Sequence, residues 1–252
     1  MKKLLLVLFS IVVIHSYASE KYILTLPKSG TYLLKKIFND LLRTGIQVDH
    51  AHFVHGVSVM KEKYVVSMRD PRDFFISFKN FKTFVARECL RKGVDWPGMQ
   101  PFNYIEYLRL SEEKKLLELL LHKNQVHGVN KCDTILNMFQ SVSKALQDPL
   151  ALAICFEDFV GENGGGNNEL QKETIVEVLE WLGISVSQYR VQYALSHCWG
   201  GSITFHKGVI GQWREEFKLI HVEALKKHWN QYLIDWGYET DWNWDTNYLV
   251  EN

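Results

Sequence analysis

The chain lacks an excess of charge of either sign, a CxxC pair and the GxxxxGK[ST] motif of P-loop nucleotide-binding proteins. Lys plus Arg and Asp plus Glu both number 29, so bulk charge does not indicate a nucleic-acid partner. No Cys/His cluster has the spacing of a zinc site. We therefore expect no nucleic acid and no metal. The four cysteines are widely spaced: Cys89, Cys132, Cys155 and Cys198. They could be isolated buried thiols or could form a disulfide bridge, and the sequence does not distinguish these alternatives.

The first 18 residues differ in kind from the rest of the chain. Lys2 and Lys3 form a basic start, Leu4–Ile14 is apolar, and residues 16–18 have the small-x-small pattern of a cleavage site. An apolar stretch of about eleven residues is short for a transmembrane helix. We predict a secretory signal peptide over residues 1–18 and an exported protein that is secreted, periplasmic or lumenal. The alternative is an uncleaved anchor, which would hold a lumenal protein at a membrane.

Residues 19–252 are predicted to form a single globular domain, because 46% of the chain is hydrophobic and no internal boundary is visible. Strand-like and helix-like segments alternate, which predicts an α/β fold in three layers, with a central, mainly parallel sheet flanked by helices. The glycine-rich stretch Gly161–Asn168 is predicted to be a flexible surface loop without a chemical role. The predicted strands are Lys21–Leu26, Ile46–Val54, Lys63–Met68 and Leu150–Phe156, the last buried on both faces, and the predicted helices are Leu33–Leu42 (ended by Gly45), Phe74–Phe84, Leu170–Leu182 and Val222–Trp236.

The segment LPKSGTYLL, residues 26–34, joins the first strand to the first helix. The start of a helix offers unpaired backbone N–H groups and the positive end of the helix dipole. Lys28 adds a charge, Ser29 and Thr31 add hydroxyl groups, and Gly30 lets the backbone approach a ligand closely. The segment therefore predicts a phosphate-binding loop.

A second basic block, RDPRD at residues 69–73, follows the strand Lys63–Met68. Ligands of open α/β sheets bind at the carboxyl ends of strands, so this block and the first loop are expected to meet at one edge. Lys28 and Arg69 would then contact a doubly phosphorylated ligand from two sides, since a guanidinium suits bidentate phosphate binding.

Together with a third block, these motifs resemble the sulfotransferases that use 3′-phosphoadenylyl sulfate (PAPS). The third block is FHKGVIGQWREEF at residues 205–217, Ser77 stands eight residues after Arg69, and FED at residues 156–158 falls where the family has YED. The blocks occur in the family's order across residues 21–240. The resemblance implies a P-loop-like fold and in-line transfer of a sulfuryl group from PAPS to the hydroxyl or amine of a small-molecule or carbohydrate acceptor, without a metal.

The resemblance also assigns roles to residues. Lys28 would stabilise the departing phosphate, and Arg69 and Ser77 would hold the 3′-phosphate. His206, Lys207 and Gly208 would close over it. The 5′ side of the donor would be held by Lys28, Ser29, Gly30, Thr31 and Tyr32.

A general base must take the proton of the acceptor. The family places a histidine on the strand before the RDP strand, which here implicates VDHAHFVHG at residues 48–56. His50 and His52 would share a face of a strand, and His55 would lie at its end. We favour His52, followed by His55 and His50.

Two other functions stay open. A relative that binds nucleotide or polyanion without turnover is favoured by Leu33 and His206, where the family has tryptophan and arginine. A P-loop phosphotransferase is disfavoured, because its GxxxxGK[ST] motif is missing.

Overall fold

The computed structural model describes residues 20–49, 60–95, 103–121, 135–201 and 207–244. The predicted signal peptide lies outside these residues, as do His50, His52, His55 and His206, so these assignments stay predictions. Within the described ranges, no helix has both the length and the hydropathy needed to cross a membrane. Cys89, Cys155 and Cys198 are free thiols.

Four parallel strands form the described sheet: β1 (Tyr22–Thr25), β2 (Gln47–Asp49), β3 (Tyr64–Met68) and β4 (Ala151–Cys155). Their order is β2-β1-β3-β4, and Leu24 of β1 is in register with Val66 of β3. The chain runs from β1 to β2 on one side and then returns to β3 on the other. The carboxyl ends of β1 and β3 therefore flank the switch point, where open parallel sheets bind ligands.

Helices cover both faces of the sheet, as predicted. Alternate residues of a strand point to opposite faces, and accordingly Leu24 and Val66 belong to one core and Ile23 and Val65 to the other. The helices are α1 (Thr31–Lys35, continued as a π-helix over Lys36–Leu41), α2 (Pro71–Lys92), α3 (Tyr104–Arg109), α4 (Glu112–Leu121), α5 (Ile135–Ala145), α6 (Phe156–Phe159), α7 (Asn168–Trp181), α8 (Gln188–His197), α9 (Trp213–Glu216) and α10 (Leu219–Asp235), with a 3₁₀ turn at Glu162–Gly164.

The two cores differ in composition. The core that contains residues of α2, α4, α5 and α10 is aromatic, with edge-to-face contacts among Phe74, Phe139 and Trp229. The indole of Trp229 also donates a hydrogen bond to Leu120 O at 2.7 Å. The core of α1, α7 and α8 is mainly aliphatic. Three tryptophans near the C-terminus, Trp229, Trp236 and Trp244, are buried and serve packing, whereas Trp242 is 49% exposed.

Two elements depart from their predictions. β4 is the edge of the described sheet, with Ala153 exposed, so it is not buried on both faces. The first helix changes to π geometry and ends at Leu41, where Leu42 N donates to Ile37 O at 2.9 Å and Arg43 has φ 51°. The hydrophobic spacing of the segment is compatible with either helix type, so sequence could not distinguish them.

Candidate functional site

The 27–31 loop connects β1 to α1 at the switch point. Lys28 and Gly30 have left-handed backbones, with φ 71° and 88°. Gly30 is the N-cap of α1, no side chain in the described part of the chain caps it, and Leu34 N makes the first helical bond to Gly30 O at 3.0 Å. The amides of residues 30–33 consequently lack intrahelical acceptors. A left-handed residue followed by a helical one forms a concave anion-binding backbone.

Gly30 is required here by packing as well as by conformation. A Cβ at this position would lie 2.7 Å from Phe159 Cε2 and 2.9 Å from Phe156 Cδ2. Contacts under 3.0 Å to two buried rings cannot be relieved without shifting α6. The loop therefore lies directly against the helix that follows β4.

The hydroxyl of Ser29 has an internal role instead of facing a ligand. Ser29 Oγ donates to Leu26 O at 2.6 Å, and Ser67 Oγ donates to Ser29 O at 2.9 Å. Both serines are fully buried. These bonds fasten the 27–31 loop to the end of β3. The sequence analysis gives Ser67 no role, although a serine within an otherwise apolar strand is the signal that could have indicated one.

Thr31 and Tyr32 take different positions. The Thr31 hydroxyl is buried and lies 2.7 Å from Thr25 Oγ1, which itself donates to Asp49 O at 3.5 Å. Tyr32 is 56% exposed. Of the two side chains, only Tyr32 is open to solvent.

Lys28 is half-buried, and its ammonium lies 4.8 Å from the centre of the Phe81 ring. Burial, followed by repulsion from Arg69, lowers the pKa of Lys28 to about 8. The charges of Lys28 and Arg69 therefore lie close enough to repel each other, and neighbouring cations of this kind are common at anion sites.

Arg69 lies at the centre of the site and is only 4% exposed. Its Nη1 donates to Lys28 O at 3.4 Å and its Nη2 to Val209 O at 2.7 Å, while the guanidinium stacks 4.4 Å from the Phe156 ring. Its Nε is buried and has no hydrogen-bond partner within the described residues. Buried donors without partners are rare in folded proteins, so this N–H is a candidate for a ligand contact.

The segment 207–213 reaches the same place from the C-terminal part of the chain. Asp73, on α2, accepts hydrogen bonds from Gly211 N at 2.6 Å and Trp213 N at 3.0 Å. Burial raises the pKa of Asp73, whereas Arg69 and the two amides lower it. Asp73 stood in the RDPRD block without a role, and the structure assigns it the attachment of this segment.

The stretch 161–168 lies mostly at the surface, as predicted, but its centre has a structural role that composition does not indicate. Glu162–Gly164 form a 3₁₀ turn, Gly164 is buried, and Gly164 O accepts from Ile210 N at 2.9 Å. A Cβ on Gly164 would lie 2.3 Å from Val160 Cγ2 and 2.7 Å from Gly208 O. Glycine here allows two backbones to pack together, a requirement that composition alone does not distinguish from flexibility.

Three further residues were predicted to contact the 3′-phosphate: Ser77 on α2, and Lys207 and Gly208 in the third block. The structure brings only some of them towards Arg69. Ser77 is half-exposed on α2, one turn after Asp73. Gly208 has φ 65° and lies beside Gly164. Lys207 is exposed, and its ammonium contacts Glu215 at 3.4 Å. The Lys207 side chain is thus paired with an acidic residue of its own segment.

Glu157 was not assigned a role beyond the FED motif. Its carboxylate accepts Asp70 N at 3.1 Å and the Tyr238 hydroxyl at 2.8 Å. Burial raises its pKa to about 7, and the neighbouring charge of Asp70 contributes. Glu157 thereby connects the loop after β3 to the chain beyond α10.

Comparison with known proteins gives a structural match only. No protein-family model matches the chain, and no curated protein matches it in sequence. The crystal structure of mouse sulfotransferase SULT7A1 complexed with PAP is similar in fold, with a TM-score of 0.55 and 14% identity. The match covers 85% of this chain and 84% of that one. The α/β fold with a central parallel sheet is therefore that of a solved sulfotransferase.

Proposed function

We propose that this protein is a sulfotransferase that moves a sulfuryl group from PAPS to the hydroxyl or amine of an acceptor. The observation that carries the proposal is the convergence of the 27–31 loop, Arg69 and the segment 207–213 at one switch point of the sheet. The fold of the PAP-bound mouse enzyme supports it.

The described residues fit such a donor. The amides of residues 30–33 offer donors to the 5′-phosphosulfate, and Lys28 stands beside them. The partnerless Arg69 Nε and the half-exposed Ser77 are the donors assigned to the 3′-phosphate. PAPS, when bound, supplies an activated sulfuryl group. Gly208 would close the site from the other side.

The protein would work mainly by positioning and by charge stabilisation. Lys28 would neutralise the negative charge that grows on the phosphate oxygen as the S–O bond to that phosphate breaks. The new bond forms between sulfur and the acceptor oxygen or nitrogen, and the acceptor proton passes to a base. We propose His52 as this base, with His55 and His50 as the alternatives.

Calorimetry with 3′-phosphoadenosine 5′-phosphate (PAP) tests the proposal. Wild-type protein should bind PAP, Lys28→Ala should bind at least about 10-fold more weakly, and Lys35→Ala, which removes the same charge from α1, should bind like the wild type. The absence of binding by the wild type, or equal binding by wild type and Lys28→Ala, would contradict the proposal.

A nucleotide-binding protein without turnover is the second candidate, favoured by Leu33 and His206, where the family has tryptophan and arginine. Incubation with PAPS and a panel of phenols, amines and sugars separates the two, because only an enzyme releases PAP as it sulfates an acceptor. Repeating the assay with EDTA addresses the phosphotransferase alternative, since kinases need Mg²⁺.

We also propose that the protein is exported by residues 1–18 and acts on a small-molecule or carbohydrate acceptor outside the cytosol. The basic start, apolar centre and small-residue end of this segment support export. N-terminal sequencing of the protein from expressing cells should begin after Ala18, whereas a retained Met1 would favour the membrane-anchor alternative.

A further inference from the structure

The segment 207–213 contains no strand and no helix until α9 begins at Trp213, so its position depends on bonds to other parts of the chain. Four of its backbone groups are held in this way. Val209 O accepts from Arg69, and Ile210 N donates to Gly164 O. Gly211 N and Trp213 N both donate to Asp73.

Asp73 makes the largest contribution to this attachment. It is 1% exposed, and a buried carboxylate is costly unless hydrogen bonds satisfy it. Its two oxygens each accept one amide of the segment, and Oδ2 lies 3.7 Å from Arg69 Nη2. The geometry therefore ties the segment to α2, one turn before Ser77.

The opposite side of the segment is fixed by Gly164. Its carbonyl accepts Ile210 N at 2.9 Å, and the absence of a side chain allows Gly208 O to approach. Asp73 and Gly164 thus hold the segment between them, with Arg69 in the middle.

We propose that Asp73 is a positioning residue of the nucleotide site, which fixes the segment 207–213 so that Gly208 lies beside Arg69 and the 27–31 loop. This inference rests on the proposed function and deepens it. Asp73 acts through backbone amides and does not itself contact the ligand.

A competing role for Asp73 predicts the opposite change in PAP affinity when its charge is removed. If Asp73 served only as a counter-charge for Arg69, then Asp73→Asn would leave a stronger positive potential at the site. PAP, as an anion, would then bind more tightly. A positioning role predicts weaker binding, because asparagine offers only one acceptor for the two amides.

The test compares Asp73→Asn with the wild type in PAP calorimetry and in hydrogen exchange of peptides covering residues 207–217. We expect PAP affinity to fall on the order of 10-fold and exchange in these peptides to accelerate. Asp40→Asn removes the same charge from an exposed position and should change neither quantity.

Gly164→Ala provides a second variant in case Asp73→Asn does not fold. Its Cβ would clash with Val160 Cγ2 and Gly208 O, so Gly208 should move and PAP affinity should fall, although neither Lys28 nor Arg69 is substituted. Asn163→Ala, on the exposed side of the same turn, is the matched control and should bind as the wild type does.

Tighter or unchanged PAP binding by Asp73→Asn, together with faster exchange in 207–217, would overturn the inference and leave the proposed function intact. Failure of the wild type to bind PAP would overturn the proposed function first, and this inference with it. Weaker binding with unchanged exchange would also overturn it, because the segment would not have moved.

Discussion

The 27–31 loop and the segment 207–213 meet at one site but are held in different ways. The loop is shaped by neighbours close in sequence and on the adjacent strand, such as the Ser29–Leu26 and Ser29–Ser67 bonds across 3 and 38 residues. The segment is held by residues 46 to 140 positions away. The 27–31 loop should therefore keep its shape as long as the strands beside it are intact. The position of the segment 207–213 depends on a few side chains that are distant in sequence.

This difference has a consequence for function. The backbone of the 27–31 loop is bonded to β1, β3 and α1, the elements that it joins or adjoins. The segment 207–213 can be displaced by the loss of one carboxylate, because its backbone has no ladder of its own. We expect changes in the loop to alter global stability and changes around the segment to alter local exchange and ligand affinity.

The largest effect is predicted for Gly30→Ala. The substitution forces a left-handed alanine and drives its Cβ into Phe156 and Phe159, so the free energy of unfolding should fall by about 3 kcal/mol. Urea denaturation measures the loss.

Gly45→Ala is the matched control for this prediction. Its φ of 77° is similar, but open space surrounds it, so a loss of about 1 kcal/mol is expected. Equal losses of unfolding free energy at Gly30 and Gly45 would show that Phe156 and Phe159 can move to make room for the Cβ. The 27–31 loop would then not be held rigidly against α6.

Arg69→Lys tests the connection between the two regions. A lysine cannot bond to Lys28 O and Val209 O at once in the way the guanidinium does, so we expect a loss of about 2 kcal/mol in unfolding free energy. Hydrogen exchange should accelerate in residues 207–217 and stay slow in residues 23–34. Arg87→Lys, at an exposed position of α2, should have no effect. Equal acceleration in both regions would remove the distinction between them.

Sequence reasoning predicted the elements whose signals are local. The parallel sheet, the strand before RDPRD and the helix ending at Gly183 followed from hydrophobic spacing and from glycine, and the structure confirms them. The meeting of Lys28 and Arg69 followed from a topological rule, and Arg69 does donate to the Lys28 carbonyl.

What sequence could not predict depends on distant contacts. Gly164 packs against Gly208, 44 positions further along the chain, and its glycine-rich surroundings were interpreted as flexibility. Ser29 was interpreted as a ligand donor, because nothing in PKSGT indicates that Ser67 lies beside it. Asp73 bonds to amides of another segment, and a motif does not encode such a pairing.

The pKa of Lys28 predicts how PAP binding depends on pH. In the free protein the pKa is about 8, and a bound phosphate should raise it, so the complex takes up a proton above pH 8. Affinity should therefore fall about 10-fold between pH 7 and pH 9. Calorimetry in buffers of different ionisation enthalpy should detect the proton uptake. A flat profile between these pH values would contradict the lowered pKa.

The same shift makes a prediction without ligand. The unfolded chain binds the Lys28 proton up to about pH 10.5, whereas the folded protein releases it near pH 8. Between these values the unfolded state binds more protons, so the stability of the folded protein should rise with pH relative to Lys28→Met. The comparison with this variant is needed because burial also lowers the pKa of Lys82 to about 8.

The smallest effect is predicted at Glu157. Substitution of this residue tests whether the loop after β3 is held by nearby residues, like the 27–31 loop, or by distant side chains, like the segment 207–213. The Glu157 pKa is raised from 4.5 to about 7, so the folded state binds more protons than the unfolded state between these values. The stability that protonation provides is complete below pH 4.5 and is lost as pH rises through 7.

Between pH 5 and pH 7.5 the wild type should therefore lose on the order of 1 kcal/mol relative to Glu157→Gln, since Glu157 is partly reached by solvent. Glu162→Gln, which is exposed, should show no such difference. If the loop after β3 is shaped locally by its Asp70 cap, then Glu157→Gln will leave PAP affinity unchanged at pH 7.5. If Glu157 holds this loop as Asp73 holds the segment 207–213, PAP affinity will fall, because glutamine offers one acceptor oxygen for Asp70 N and the Tyr238 hydroxyl.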